Sequence, residues 1–549
     1  MGVYGFTDRH EDMRAVSFHM PGHKGSNLYR RFGYEAWLRN FPDRDITEIA
    51  GADNLFQPEG IIAETMDKYR RLYDTKATYL LINGSSAGII AAMMTCAGPE
   101  EKVIMARNCH KAAFNALRLG RMEPVYVYPE MIKEYGIAGR IRPEDVAFAI
   151  KENPDAKAII LPSPNYYGIC SDIRTIADLA HEAGMFLIVD QAHGAHLKFF
   201  ERAEGVIERE VLKAANIASE VMDDRHDGNG RRHVTDPLAD IPPSAESSGA
   251  DIVINSTHKT LGSLTQSAIL NVCREESRSP EHQREVDLCD LEDRLQMIQS
   301  TSPSYILMES LDINADIMTE HGDQLIGEWH DHLERFYREA KYIPGLKVMK
   351  AEGLDPTKIN LDMSRIGLSG RDLDEELRAR GIFAELHTGN ILMCMSGIGN
   401  TGANFDRLTA ALKEIAWKYG KDLIESMKMS EEGILAWREG MEGFEDEEDE
   451  VTEQAEEPRE TVVHPGHDAS VWAAERNNCA APIRKELIPL EEAAGRICAT
   501  ALIPYPPGIP LVCPGEVIEP DDIEYIKKLR EKGEKVIGVD PEGRISVGA

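Results

Sequence analysis

Asp251-Ile252-Val253-Ile254-Asn255 runs directly into Ser256-Thr257-His258-Lys259-Thr260. A short apolar run closed by polar residues reads as a strand buried on both faces, as in a parallel sheet. Lys259 then falls just past the strand end, with hydroxyl and imidazole donors among the three residues before it. That edge of an open α/β sheet is where ligands bind. An amine placed there can form a Schiff base with an aldehyde, while Ser256 and His258 hold a phosphate. A solvated lysine at a strand end is the ordinary alternative, so the rest of the chain decides between them.

Three further blocks share the strand-then-turn pattern. Phe186-Leu187-Ile188-Val189 between Gly184 and Asp190 reads as another strand buried on both faces. Asp190 stands at its carboxyl end, where a carboxylate can pair with a protonated ring nitrogen or simply cap a turn. Thr78-Tyr79-Leu80-Leu81-Ile82 leads into Asn83-Gly84-Ser85-Ser86-Ala87-Gly88 and an apolar helix. Ser85, Ser86 and the amides of that helix start make a phosphate cradle, the alternative being a plain helix cap. The wording is neither GxGxxG nor GxxxxGK[ST], which argues against dinucleotides and nucleoside triphosphates. Val103-Ile104-Met105-Ala106 precedes Arg107-Asn108-Cys109-His110, and His110 could stack on a flat ring.

A phosphate turn, a stacking imidazole, an acid for a ring nitrogen and an amine for an aldehyde together point to pyridoxal 5'-phosphate (PLP). Their order resembles the fold-type I PLP enzymes: a large α/β domain, with a mostly parallel sheet covered by helices, plus a small α/β domain and a C-terminal domain. The detailed wording, DQAHGAH at 190–196 and STHKTLGSLTQSA at 256–268, resembles the Orn/Lys/Arg decarboxylase family of the bacterial group III type. Ser17 to Gly25 (SFHMPGHKG), Thr301 to Tyr305 (TSPSY), Pro504 to Pro510 and Pro514-Gly515-Glu516 extend the likeness toward both ends. The resemblance implies that Ala87, Ala192 and His193 also touch the cofactor, that Glu516 meets the substrate, and that Lys259 or His110 returns a proton to Cα. It also implies α-decarboxylation of a basic amino acid, arginine first and otherwise lysine or ornithine, in a homodimer or larger assembly. Another PLP reaction on this fold is the main competing expectation. An aminotransferase would need an arginine for a second carboxylate, and Arg365 is a candidate. A non-catalytic relative is disfavoured, since it would need neither Asp190 nor Lys259.

Composition sets outer bounds. A net charge of −33 over 549 residues disfavours nucleic acid and would draw cationic substrates. Nine scattered cysteines without a CxxC pair read as reduced, cytoplasmic thiols. Met1 to Asp12 carries no apolar run, so no signal peptide is expected, and no stretch is long and apolar enough for a membrane span. His193 with His196, and His19 with His23, have metal-compatible spacings, yet no third and fourth ligand accompanies either pair, so no metal is expected. His196 is read as structural.

The expected organisation is an N-terminal segment over 1–75 and a PLP-binding domain over 76–300. Linker helices and the small α/β domain cover 301–440, with a strand at Ile382 to Leu386 and a glycine-rich turn at 396–402. A C-terminal domain covers 461–549. A polar insertion at about 200–242 interrupts the large domain, helical at first and then a loop. Glu442 to Glu460 holds eleven acidic residues in nineteen and reads as a disordered linker at 441–460.

Overall fold

The computed structural model describes residues 2–202, 241–274, 284–421, 485–505, 509–531 and 533–548. The acidic tract and nearly all of the 200–242 insertion lie outside those residues.

Seven strands form the central sheet, in the order Ala77–Leu81, Ala268–Val272, Ile252–Asn255, Phe186–Asp190, Ala158–Pro162, Lys102–Ala106, Glu123–Val127. Ala268–Val272 runs antiparallel to both of its neighbours; every other pairing is parallel. The sheet is therefore mostly parallel, as the alternation of strands and helices along the chain predicts. Ala158–Pro162, Phe186–Asp190, Ile252–Asn255 and Ala268–Val272 are buried at every position. That is the physical reason the parallel ones among them read as apolar runs and not as alternating ones. Helices Gly84–Cys96, Lys111–Gly120, Pro143–Glu152 and Ile173–Glu182 cover the sheet. Gly84–Cys96 is apolar on all sides because it is sandwiched, with Ala87, Ile89, Ala91, Ala92 and Met93 buried.

Ser304 caps the 36-residue helix Tyr305–Ala340 by accepting the Leu307 N–H. At about 54 Å, this helix is long enough to leave the large domain and serve the small one. Trp329 on it is buried and donates its indole N–H to Ser396 Oγ at 2.9 Å. The small domain has an antiparallel sheet, in the order Lys347–Val348, Lys358–Asp362, Ile391–Met395, Leu386–Thr388. Here the strand expected over 382–386 is divided. Ile382–Ala384 pairs in parallel with Val16–Phe18, Leu386–Thr388 joins the small sheet, and Glu385 is left at the junction. The C-terminal residues have their own core of Leu490, Cys498, Leu502, Val512, Ile518, Ile526, Ile545 and Val547.

The SFHMPGHKG segment is seated on the backbone that carries Lys259. Gly22 donates its N–H to His258 O at 2.7 Å, Gly399 donates to Gly22 O at 3.0 Å, and Ile398 donates to Thr260 O at 3.0 Å. A Cβ at Gly22 would stand 2.4 Å from Leu261 O and 2.8 Å from Leu261 N. Those are backbone atoms and cannot swing aside. Gly22→Ala is expected to cost about 1–3 kcal/mol of unfolding free energy, read from urea denaturation. An unchanged midpoint would mean that the segment is not held this way.

Candidate active site

Strand ends gather the site. Asp190 closes Phe186–Asp190, and its neighbour strand Ile252–Asn255 ends just before the short helix Thr257–Thr260 that carries Lys259. Lys102–Ala106 leads to His110, which caps helix Lys111–Gly120 by accepting the Ala112 N–H on Nδ1 at 3.2 Å. Ala77–Leu81 leads to Ser85, Ser86 and Ala87 in the first turn of Gly84–Cys96, where no side chain caps the free amides.

Lys259 Nζ lies 2.9 Å from His193 Nε2. Burial pushes the lysine down to about 8; Asp190 and Glu385 oppose this, and Lys358 adds to it. Burial also holds the His193 imidazole well below its ordinary value, helped by Lys259 and Lys358. His193 is thus neutral, and its Nε2 accepts from the Lys259 ammonium, which leaves the hydrogen on Nδ1. Asp190 is buried, with its Oδ1 accepting the Ala192 N–H at 3.1 Å. Burial raises its pKa and Lys259 lowers it. His110 is pushed down to about 4 by burial and then by Lys259 and Lys111, so it offers an uncharged ring. His258 donates Nδ1–H to Ser267 O at 2.8 Å and is likewise held at about 4, mainly by burial.

Four buried polar atoms around these blocks have no partner: Asn108 Oδ1, His193 Nδ1, Ser256 Oγ and Thr260 Oγ1. Buried polar atoms rarely go unpaired, and a cluster of them marks room for a polar ligand. The donor set fits PLP: hydroxyls and helix-start amides for a phosphate, an acid for a ring nitrogen, a flat neutral imidazole, and an amine for the aldehyde.

Glu516, Arg365 and His196 each make contacts of their own. Glu516 is buried, accepts the Cys513 N–H at 2.7 Å, and pairs with Arg107 at 3.2 Å. Arg107 also donates to Pro510 O at 2.7 Å and Leu511 O at 3.0 Å, tying the C-terminal residues to the strand end that leads to His110. Arg365 is exposed on the turn Ser364–Ile366. His196 is fully buried, with Nε2 3.0 Å from Asp355 and 3.1 Å from Thr357 Oγ1. Among the described residues, the His and acidic groups close enough to share an ion are His330, Asp331 and Glu334, on the outer face of the long helix.

Tyr166 and Glu385 were not foreseen. Tyr166 follows the end of Ala158–Pro162, packs its ring on His193 with centroids 4.7 Å apart, and donates to Glu385 Oε1 at 3.0 Å. Glu385 Oε2 takes the Met20 N–H at 2.9 Å. The strand-end position of Tyr166 was a usable signal; Glu385 had none, because it reaches the site from the divided strand.

The Orn/Lys/Arg decarboxylase major-domain model matches residues 4–216 and 237–351, and the C-terminal-domain model of the same decarboxylases matches 460–544. The chain belongs to the Orn/Lys/Arg decarboxylase family. Arginine decarboxylase of Bacillus subtilis (strain 168) is 31% identical over 551 residues, spanning 98% of this chain and 95% of that one. Arginine decarboxylase of Bacillus anthracis is 29% identical over 547 residues, spanning 96% and 93%. Among solved structures, lysine decarboxylase A from Pseudomonas aeruginosa matches with a TM-score of 0.65 at 19% identity, over 99% of this chain and 80% of that one. That likeness places this decarboxylase on the fold-type I architecture. The eight described cysteines are free, and no helix among the described residues is long and apolar enough to cross a membrane.

Buried histidines make stability depend on pH. His23, His110 and His258 are each depressed from 6.5 to about 4, chiefly by burial. Between those values the unfolded chain binds more protons than the folded one, so their contribution is complete above pH 6.5 and lost as pH falls toward 4. Asp190, raised by burial, acts in the opposite sense, while His193, depressed like the other rings, adds to the effect. The melting temperature of the cofactor-free protein is expected to fall steadily across that window. A flat or rising profile would contradict the burial of these rings.

Proposed function

We propose that this decarboxylase uses PLP to convert arginine to agmatine and CO2. The observation that carries the chemistry is the Lys259 amine, held near neutrality at 2.9 Å from an uncharged His193 beside the buried Asp190. Support for arginine comes from the two Bacillus arginine decarboxylases, which align over nearly the whole chain.

PLP, when bound, supplies an electron sink for the pair left behind as CO2 departs. Asp190 keeps a proton on the ring nitrogen; its burial strengthens that pairing by excluding water. Ser85, Ser86, Ser256 and the first-turn amides of Gly84–Cys96 would hold the phosphate. His258 has committed Nδ1 to Ser267 O, so its Nε2 donates to a phosphate only as imidazolium, which an adjacent dianion favours. His110, Ala87, Ala192 and His193 border the ring. The proton delivered to Cα comes from Lys259 Nζ. With its pKa at about 8, the amine is mostly protonated near neutrality, whereas His110 at about 4 carries no proton to spare.

Glu516 lies in the family's PGE motif, and its pairing with Arg107 favours a role in setting the wall of the site over direct contact with a substrate cation. Glu516→Gln should then lower the melting temperature and leave KM for arginine little changed. The reverse pattern would make it a substrate ligand. The reading also includes a homodimer or larger assembly and a cytoplasmic setting.

Two measurements test the reading. Arginine, lysine, ornithine and glutamate, supplied separately and scored for CO2 and amine product, should rank arginine first, lysine second and glutamate inert. Release of a keto acid in place of CO2 would show a different PLP reaction. Asp190→Ala should retain the cofactor and lose about 100- to 1000-fold in kcat, because the ring nitrogen loses its charge partner. A wild-type rate in that variant would assign the ring nitrogen to another residue.

A further inference from the structure

Behind His193 sits a cluster that the proposed chemistry leaves unused. Lys358, Asp355, Thr357 and His196 are all 0% exposed. Lys358 Nζ donates to the carbonyl of His193 at 2.9 Å, to Asp355 Oδ2 at 3.0 Å and to Thr357 Oγ1 at 3.1 Å, using all three of its protons. Asp355 also accepts the Thr357 N–H at 2.9 Å and meets His196 Nε2 at 3.0 Å. Lys358 begins a small-domain strand, whereas His193 and His196 lie in the large-domain turn that follows Asp190.

We propose that Lys358 is a positioning residue for the reaction: anchored by Asp355 and Thr357, it holds the carbonyl of His193 and so fixes the imidazole that meets Lys259. The proposal rests on the reading of Lys259 as the reactive amine.

The Lys358 stem is closely packed: a Cβ at Gly168 would stand 2.7 Å from its Cβ and Cγ. A Cβ at Gly194 would stand 2.5 Å from Pro164 Cδ, so the turn after His193 is equally tight. A buried ion pair does little better than break even in stability against apolar side chains of similar volume. What this one adds is a fixed cation joining two domains behind the catalytic amine. The cation also acts at a distance, depressing both Lys259 and His193 after the larger effect of burial. The groups facing Lys259 are Asp190 and Glu385, which raise it, Lys358, which lowers it, and the imidazoles of His110, His193 and His258.

The test uses two full-length variants, Lys358→Met and Lys358→Met with Asp355→Asn, the second leaving no unpaired charge behind. Folding is read by circular dichroism melting, and kcat and KM are measured with arginine. Acylation of Lys259 is followed against pH by peptide mass mapping of protein dialysed free of cofactor. The folded Lys358→Met variant should show the Lys259 acylation midpoint raised from its wild-type value, since a like charge has been removed, and the double variant, which loses the Asp355 carboxylate as well, should show a smaller rise. Its kcat should fall by about 10- to 100-fold with KM little changed, as expected for a displaced reacting group. A structural role alone would not move the acylation midpoint. A folded Lys358→Met variant with an unmoved midpoint, or a folded double variant with a wild-type kcat, overturns the proposal, and so does failure of both variants to fold. A wild-type Lys259 that titrates at its ordinary 10.5 would instead defeat the reading of Lys259, and the two failures are thereby told apart.

Discussion

The contact between the Lys259 amine and the neutral imidazole of His193 sets the terms for the rest of the molecule. An ammonium taken out of water must lose its proton or find acceptors. Here it finds one acceptor in His193, and the carboxylates of Asp190 and Glu385 act on it from further off. Lys358 pushes the other way, and the balance leaves the amine near 8, within reach of both protonation states at neutral pH. Covalent catalysis by an amine requires that intermediate condition: free base to attack, ammonium to return a proton.

Several distant parts of the chain converge to maintain it. Asp190 and Lys259 come from adjacent parallel strands, and parallel pairing puts both carboxyl ends on one edge of the sheet. The backbone around Lys259 is held from outside the large domain, through Gly22 on one side and Ile398 on the other. Arg107 closes another flank through Glu516, Pro510 and Leu511. In each case a carbonyl or carboxylate meets a donor from a remote segment, so the site depends on the docking of its domains as well as on its sheet.

Much of this was legible in the sequence, and the reasons are local. Fully buried parallel strands read as unbroken apolar runs, so Asp190 and Lys259 could be placed at strand ends before any geometry was known. The turn at Ser85 and Ser86 was legible because a helix start after a strand is a local pattern. Glu385, Lys358 and Asp355 were not, because nothing in their own neighbourhoods marks them. Glu385 interrupts a stretch that reads as one strand, and Lys358 reads as the ordinary start of another. Their meaning arises from contacts across large sequence separations, such as Lys358 with His193 and Glu385 with Met20. Glu516 illustrates the converse: a motif drew attention to it, yet the arginine that takes its carboxylate comes from the other end of the chain.

The central claim is that Lys259, among all the lysines of this chain, is the one that bonds to the cofactor. Lys24 and Lys358 are its nearest rivals by burial, but both are engaged by backbone carbonyls, Lys24 with Met395 O and Lys358 with His193 O. Borohydride reduction of the holoenzyme, followed by peptide mass mapping, decides the matter. The account predicts a single pyridoxyl group, on the peptide that contains Lys259. A pyridoxyl group on Lys24, Lys358 or any other lysine of an active preparation would contradict it.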